Sequence, residues 1–247
     1  MPDLPIQDAS CRLGVLAFGD SVTNGGGELQ WGVALQSWAL WVARGLGLSF
    51  TSYAFDGATA AELVNRQIPA LLSQNATPAA RYRLGCVYIG VNDVRAPEWD
   101  PEAYERDLDT ALGFLEERAE RVLALTAPLD LGRPRTGAGV RRLNAIIEHR
   151  ARAVGALVLD LSDFGARNRV MSDHVHPTAL GQVAIAERAL EVLAGAGFEI
   201  RARPAALIDP EITWRARLRS DTTLAYRSAK VAGRCARLRL AAGLRPR

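Results

Sequence analysis

The sequence predicts a single doubly wound α/β domain, a parallel five-stranded sheet between two layers of helices. Two observations point there. Short apolar runs alternate strictly with longer segments of helical character, the pattern of parallel strands joined by crossover helices. The chain has 247 residues, 49% of them hydrophobic and 23% charged, enough for one sizeable core and too few for two full domains.

The expected strands are Leu13 to Phe18, Leu48 to Phe55, Leu84 to Ile89, Arg121 to Leu125 and Leu157 to Leu161. The expected helices between and after them are Leu29 to Gly45, Ala58 to Ser73, Pro101 to Ala119, Gly139 to Val154 and Thr178 to Ala194. Trp31, Trp38 and Trp41 fall in the first of these, Trp38 and Trp41 on the core side and Trp31 close enough to a glycine loop to wall a pocket. Gly195, Gly197 and Pro204 mark the end of the domain, so residues 1–200 are read as the body and 201–247 as an extension. No internal repeat or low-complexity segment is visible.

The net charge of +3 conceals a split. From Arg201 onward there are twelve Lys and Arg against three acids, a balance of +9, which leaves the first 200 residues with 18 basic and 24 acidic groups, a balance of −6. Thr223 to Ala242 can form a helix with Leu224, Val231, Cys235 and Leu238 on one side and Arg227, Lys230, Arg234 and Arg237 on another. The plain expectation for it is an arginine-rich helix packed on the acidic body. The functional ones are a membrane surface or an acidic partner such as an acyl carrier protein. Nucleic acid is not expected, because no basic groove with interleaved aromatics is present.

In an open parallel sheet, ligands gather at the carboxyl ends of the strands, and four short motifs follow four of the expected strands. "FGDS" puts Ser21 beyond the first and "FDGA" puts Gly57 beyond the second. "IGVND" puts Asn92 beyond the third, and "DHVHP", Asp173 to Pro177, follows the fifth and precedes a helix. A serine at a strand end is either a helix cap or a reagent. As a reagent it needs a base, and a histidine suits that task at neutral pH. Asp173, three residues before His176, can hold the imidazole in one tautomer. An oxyanion formed at an ester carbonyl can accept from the Ser21 and Gly57 N–H groups and the Asn92 side-chain amide. Between His174 and His176 the second is preferred, since Pro177 then starts the helix at its tolerated first position.

These blocks together resemble the SGNH or GDSL hydrolases, named for their Ser, Gly, Asn and His, over roughly residues 13 to 195. The resemblance implies a flavodoxin-like three-layer α/β/α fold and serine-based hydrolysis or transfer of acyl groups without a metal or other cofactor. It implies Ser21 as nucleophile, His176 as base, Asp173 as its orienter, and Ser21, Gly57 and Asn92 as oxyanion donors. The second block departs from the usual pattern by carrying Asp56 before Gly57, and the extension lies outside all four blocks.

Other classes are less well supported by the residues. The pattern G-x-x-x-x-G-K-[ST] is absent and the only lysine is Lys230, which argues against a phosphate-cradling nucleotidase. His174 and His176 lack the H-E-x-x-H spacing of a zinc site, and His149 is far away in sequence. Cys11, Cys86 and Cys235 form neither a C-x-x-C pair nor an even set and are expected to be inert thiols. With no signal-like start and no apolar run of about 18 residues, the expectation is a cytoplasmic protein. The leading activity is cleavage of small-molecule acyl esters through an acyl-serine. An acyltransferase to a sugar or other alcohol is the enzymatic alternative, and a scaffold that binds through its basic extension is the alternative of another class. Substrate selection is expected to lie in loops such as Ala96 to Asp100 and Asp130 to Gly139.

Overall fold

The computed structural model describes residues 12–74, 81–132, 137–166 and 168–241. Five parallel strands, β1 (Arg12–Gly19), β2 (Phe50–Ser52), β3 (Arg81–Tyr88), β4 (Val122–Leu125) and β5 (Leu157–Leu159), form one sheet in the order β2-β1-β3-β4-β5. That order, with helices on both faces, is the flavodoxin-like doubly wound arrangement the sequence implies. β3 lies at the centre, and its buried residues Leu84, Cys86, Val87 and Tyr88 follow one another without polar alternation because both faces are covered.

The helices are α1 (Ser21–Asn24), α2 (Trp38–Leu46), α3 (Ala60–Glu62), α4 (Ile68–Gln74), α5 (Val91–Arg95), α6 (Pro101–Arg118), α7 (Ala138–Ala153), α8 (Ala179–Gly195) and α9 (Trp214–Ala241). A π turn, Leu63–Gln67, joins α3 to α4, and a 3-10 turn, Pro204–Leu207, packs against α2 and α8. Several starts are chemically marked. Asp100 caps α6 by accepting from Glu102 and Ala103 with Pro101 in the first turn, and Thr178 caps α8 by accepting from Gly181.

One expected helix is shorter than its pattern suggested. Leu29 to Ser37 is an irregular loop, and the helix begins at Trp38. Gly32 and Trp31 both adopt positive φ, 76° and 49°, which no α-helix accommodates. Ser37 then caps α2 through Ala39. Trp38 and Trp41 are buried as expected, whereas Trp31 lies outside the helix, its carbonyl accepting from Glu211. At the other end, α9 starts nine residues earlier than the Thr223 expected from the charge pattern. Its side chains that can be described are exposed or half-exposed, with Trp214 69% and Leu218 56% accessible; the side chains of Leu224, Val231, Cys235 and Leu238, the apolar side named from the sequence, lie outside the described ones. Ala242, Cys11 and residues 133–136 of the Asp130 to Gly139 loop lie outside the described residues. Cys86 is a free, buried thiol whose pKa is pushed upward by burial.

Leu84 on β3 is wholly buried between the two helical layers. Truncation there leaves a cavity on the strand that holds the sheet together, so Leu84→Ala is expected to cost about 2–5 kcal/mol. Urea denaturation of the two proteins measures it, and a difference below about 1 kcal/mol would contradict this placement of the core.

Candidate active site

β1 pairs with β3 along its length, from Arg12 opposite Arg81 to Gly19 opposite Tyr88. This register brings Asp20-Ser21 and Val91-Asn92 out of the sheet at one edge. Asp20 is the N-cap of the single-turn helix α1 and accepts from Val22 N–H at 2.9 Å, which leaves Ser21 in the first turn. The Ser21 N–H, one of the orphan donors of a helix start, has no hydrogen-bond partner among the described residues. Serine therefore does not serve as the cap; the aspartate before it does.

His176 reaches Ser21 from the far side of the sheet. Its Nε2 lies 2.9 Å from Ser21 Oγ and its Nδ1 lies 2.7 Å from Asp173 Oδ2. The loop that delivers it is tied twice to Asp173, whose Oδ1 accepts from the N–H groups of Val175 and His176. The three consecutive glycines close the arrangement. Gly26 N–H donates to Ser21 O at 2.6 Å, and a Cβ on Gly26 would lie 2.8 Å from that oxygen and 3.2 Å from His176 Cδ2. A side chain there would wedge apart the serine and the imidazole, so the close approach requires glycine.

Gly57 and Asn92 complete the set. Gly57 holds φ +80°, is exposed, and its N–H has no partner among the described residues. Asn92 Nδ2 donates to Ala58 O at 2.9 Å, a bond that needs one of its two amide hydrogens and leaves the other. Asp56 is held by Asn24 Nδ2 at 2.9 Å. His174 stands apart from the series: it turns at φ +61° and its Nδ1 pairs with Asp130 at 3.0 Å. His149 is exposed on α7, and no group of three or more potential metal ligands occurs among the described residues.

Several supporting residues escaped the sequence reading. Asp93 Oδ1 and Oδ2 accept from Ala60 N–H at 3.1 and 3.2 Å, fixing the start of α3. Gln182, fully buried on α8, accepts from Trp38 N–H and donates to the carbonyls of Val22 and Gly26. Gln67 is buried beside the end of β1. The signal for both glutamines is a long polar side chain inside an otherwise apolar helical stripe, which a burial pattern makes visible.

The titratable groups are pushed apart by their surroundings. Burial works against the charge of Asp173, yet hydrogen bonds from the His176 ring and the Val175 and His176 N–H groups outweigh it and hold the pKa at about 2. The Asp173 hydrogen bond in turn raises the His176 pKa above 6.5 against partial burial. Asp20, 1% exposed, is driven to about 7, chiefly by burial. Burial likewise raises Asp93 to about 6.

The doubly wound sheet thus carries a hydrogen-bonded Ser-His-Asp series at its carboxyl edge, with the Ser21 and Gly57 N–H groups lacking partners among the described residues. Residues 17–184 match the model of the GDSL-like lipase/acylhydrolase family, and the chain belongs to that family as an SGNH-type esterase. The fold is shared with an acetylxylan esterase from Geobacillus stearothermophilus (TM-score 0.58, 19% identity, 77% of this chain and 97% of that one). It is also shared with an α/β hydrolase from the metagenome of Lake Arreo (TM-score 0.58, 18% identity, 75% and 97%). TesA is a third such structure (TM-score 0.56, 21% identity, 74% and 98%). Comparison with curated protein sequences gives no match.

The Asp20 pKa has a thermodynamic consequence. A carboxyl raised from 3.8 to about 7 keeps its proton in the folded chain where the unfolded chain has lost it. Its contribution to stability is complete below about pH 4 and is lost as the pH rises through about 7. Asp20→Asn, which retains an oxygen for Val22 N–H, is expected to raise the melting temperature over wild type more at pH 8 than at pH 5. An equal or opposite difference in calorimetry would count against a buried, proton-holding Asp20.

Proposed function

We propose that the protein hydrolyses small-molecule acyl esters through a covalent acyl-Ser21 intermediate. The observation that carries this reading is the hydrogen-bonded series from Ser21 Oγ through the His176 ring to Asp173, with spacings of 2.9 and 2.7 Å. His176 Nε2 accepts the Ser21 proton as Oγ attacks the ester carbonyl. Asp173 accepts from Nδ1–H, so the ring keeps its lone pair at Nε2 and its cationic form is stabilised. The carbonyl oxygen, now negative, accepts from the Ser21 and Gly57 N–H groups and the spare Asn92 amide hydrogen, all held in place beforehand. His176 then gives its proton to the leaving alcohol, and a water activated by the same ring releases the acid.

Replacement of that water by a sugar or other alcohol would make the enzyme an acyltransferase. The chemistry is identical up to the acyl-enzyme, and the choice lies with the acceptor. The reading of another class, a binding protein, is favoured by α9. This exposed helix carries Arg215, Arg217, Arg219 and Lys230 with Trp214, Leu218 and Tyr226, and suits an acidic partner or an anionic membrane surface. No helix among the described residues is long and apolar enough to cross a membrane.

Turnover of a short-chain p-nitrophenyl ester by wild type and Ser21→Ala, with intact-mass analysis at short times, separates these readings. Hydrolysis and an acyl adduct in the wild type, both absent in the variant, are expected. Equal rates in the two proteins would remove Ser21 from the mechanism. Added alcohol that diverts the acyl group into a new ester would establish the transferase.

The histidine pKa predicts the pH profile. Because the imidazole must be neutral to accept the proton, kcat/KM should rise with pH through a value above 6.5. Asp173→Asn presents an amide donor to Nδ1 and favours the wrong tautomer. It should lower kcat/KM by roughly three to four orders of magnitude and move the acid limb of any residual activity to lower pH. An unchanged limb would show that Asp173 does not set the His176 pKa.

A further inference from the structure

The donors assigned above to the oxyanion lie on three separate segments, and one helical stretch touches all three. Its start, Ala58 to Ala60, follows Gly57 directly. Ala60 N–H donates to the Asp93 carboxylate and Ala58 O accepts from Asn92, so the same start is fastened to the Asn92 segment. Two turns later the π turn places Gln67, 1% exposed, against the end of β1. Such widened turns are frequent at functional sites.

The contact there is specific. Alternate residues of a parallel strand direct their N–H and C=O to opposite neighbours. On β1, Val15 donates to Ser49 O and Ala17 accepts from Tyr53, both on the β2 side, and Gly19 is next in that series. β2 ends at Ser52, so no strand remains to pair with Gly19. Gln67 takes the place of the missing strand. Its Oε1 accepts from Gly19 N–H at 3.0 Å and its Nε2 donates to Gly19 O at 2.8 Å. Gly19 leaves no space for a side chain, since a Cβ there would lie 2.5 Å from both Thr23 Oγ1 and Tyr88 O. It is two residues from Ser21.

We propose that Gln67 is a positioning residue of the esterase reaction: by clamping both backbone groups of Gly19, it sets the Ser21 hydroxyl and N–H relative to Gly57, which leads into the same helical stretch, and to Asn92, which is hydrogen-bonded to its start. The inference rests on the acyl-Ser21 reading. Without the clamp the buried Gly19 N–H and C=O lose their partners, and the strand end drifts against the helix. Displacement of the attacking oxygen by a fraction of an ångström lowers kcat, while substrate affinity is little affected.

Gln67→Glu tests this through its protonation state. A neutral carboxylic acid both accepts from Gly19 N–H and donates to Gly19 O, reproducing the amide; a carboxylate cannot donate. The variant should match wild type within about twofold in kcat at pH 6 and fall at least tenfold behind it at pH 9, with KM within about twofold. Rates are normalised to the folded fraction from circular dichroism. Gln67→Leu, which makes neither bond, should show the full deficit in kcat at both pH values. A Gln67→Glu variant that keeps the wild-type kcat at pH 9, or a deficit in either variant that disappears after normalisation, would overturn the proposal. Ser21→Ala, assayed alongside, keeps the two readings apart. Full turnover by it would remove the acyl-Ser21 reading and with it the route through Gly19. Its inactivity beside an unimpaired Gln67→Leu would remove the role of Gln67 alone.

Discussion

The pairing of β1 with β3 is the constraint on which the rest of the site depends. Gly19 stands opposite Tyr88, and the Asp20 N–H still reaches Tyr88 O at 3.3 Å. The chain therefore leaves both strands at the same height, with Ser21 and Asn92 on one edge although 71 positions separate them in sequence. A slip of one residue would reverse every side chain of β1 between the two helical layers, each of which is close-packed around the side chains it now receives. Burial of Leu16, Phe18, Leu84 and Tyr88 thus fixes the register and, through it, the spacing of the chemistry.

His176 is delivered by a different device. The loop after β5 has no sheet partner at that height and is seated instead on the glycine loop. Glu28 bridges Thr178, Gly26 lies against the imidazole, and Gln182 grips the carbonyls of Val22 and Gly26 from below. The absence of a side chain at Gly26 and the reach of a buried glutamine are complementary parts of one contact. They explain why a hydrophobic strand should run into Gly-Asp-Ser and then into three glycines: the turn presents the serine, and the glycines admit the histidine.

Around this frame the acids are arranged by solvation. Asp173 accepts three hydrogen bonds and is held anionic beside the ring it serves. Asp20, buried, and Asp93, half-buried, are raised to about 7 and about 6, chiefly by desolvation, while each accepts from a backbone N–H. The same residue type plays opposite electrostatic parts because burial disfavours charge and hydrogen-bond donors favour it. On α9 the described basic side chains, Arg215, Arg217, Arg219 and Lys230, are exposed, and their attraction to anions is screened by salt.

The sequence by itself determined the number and order of strands and the turn chemistry at their ends. It also marked four short motifs, carrying Ser21, Gly57, Asn92, and Asp173 with His176, that follow the expected strands. Local preference misled where a long-range contact prevailed, as at Leu29 to Ser37, whose apolar spacing suits a helix but whose Trp31 carbonyl accepts from Glu211 N–H, with Glu28 just before the segment bridged to Thr178. Asp20 as the cap in place of Ser21, the pairing of His174 with Asp130, and the grip of Gln67 and Gln182 on backbone groups 48 and 160 positions away were decided only by the tertiary structure. Each depends on which backbone donors and acceptors the sheet leaves without a partner, and that is settled only when the strands have found their register and the core has closed over them.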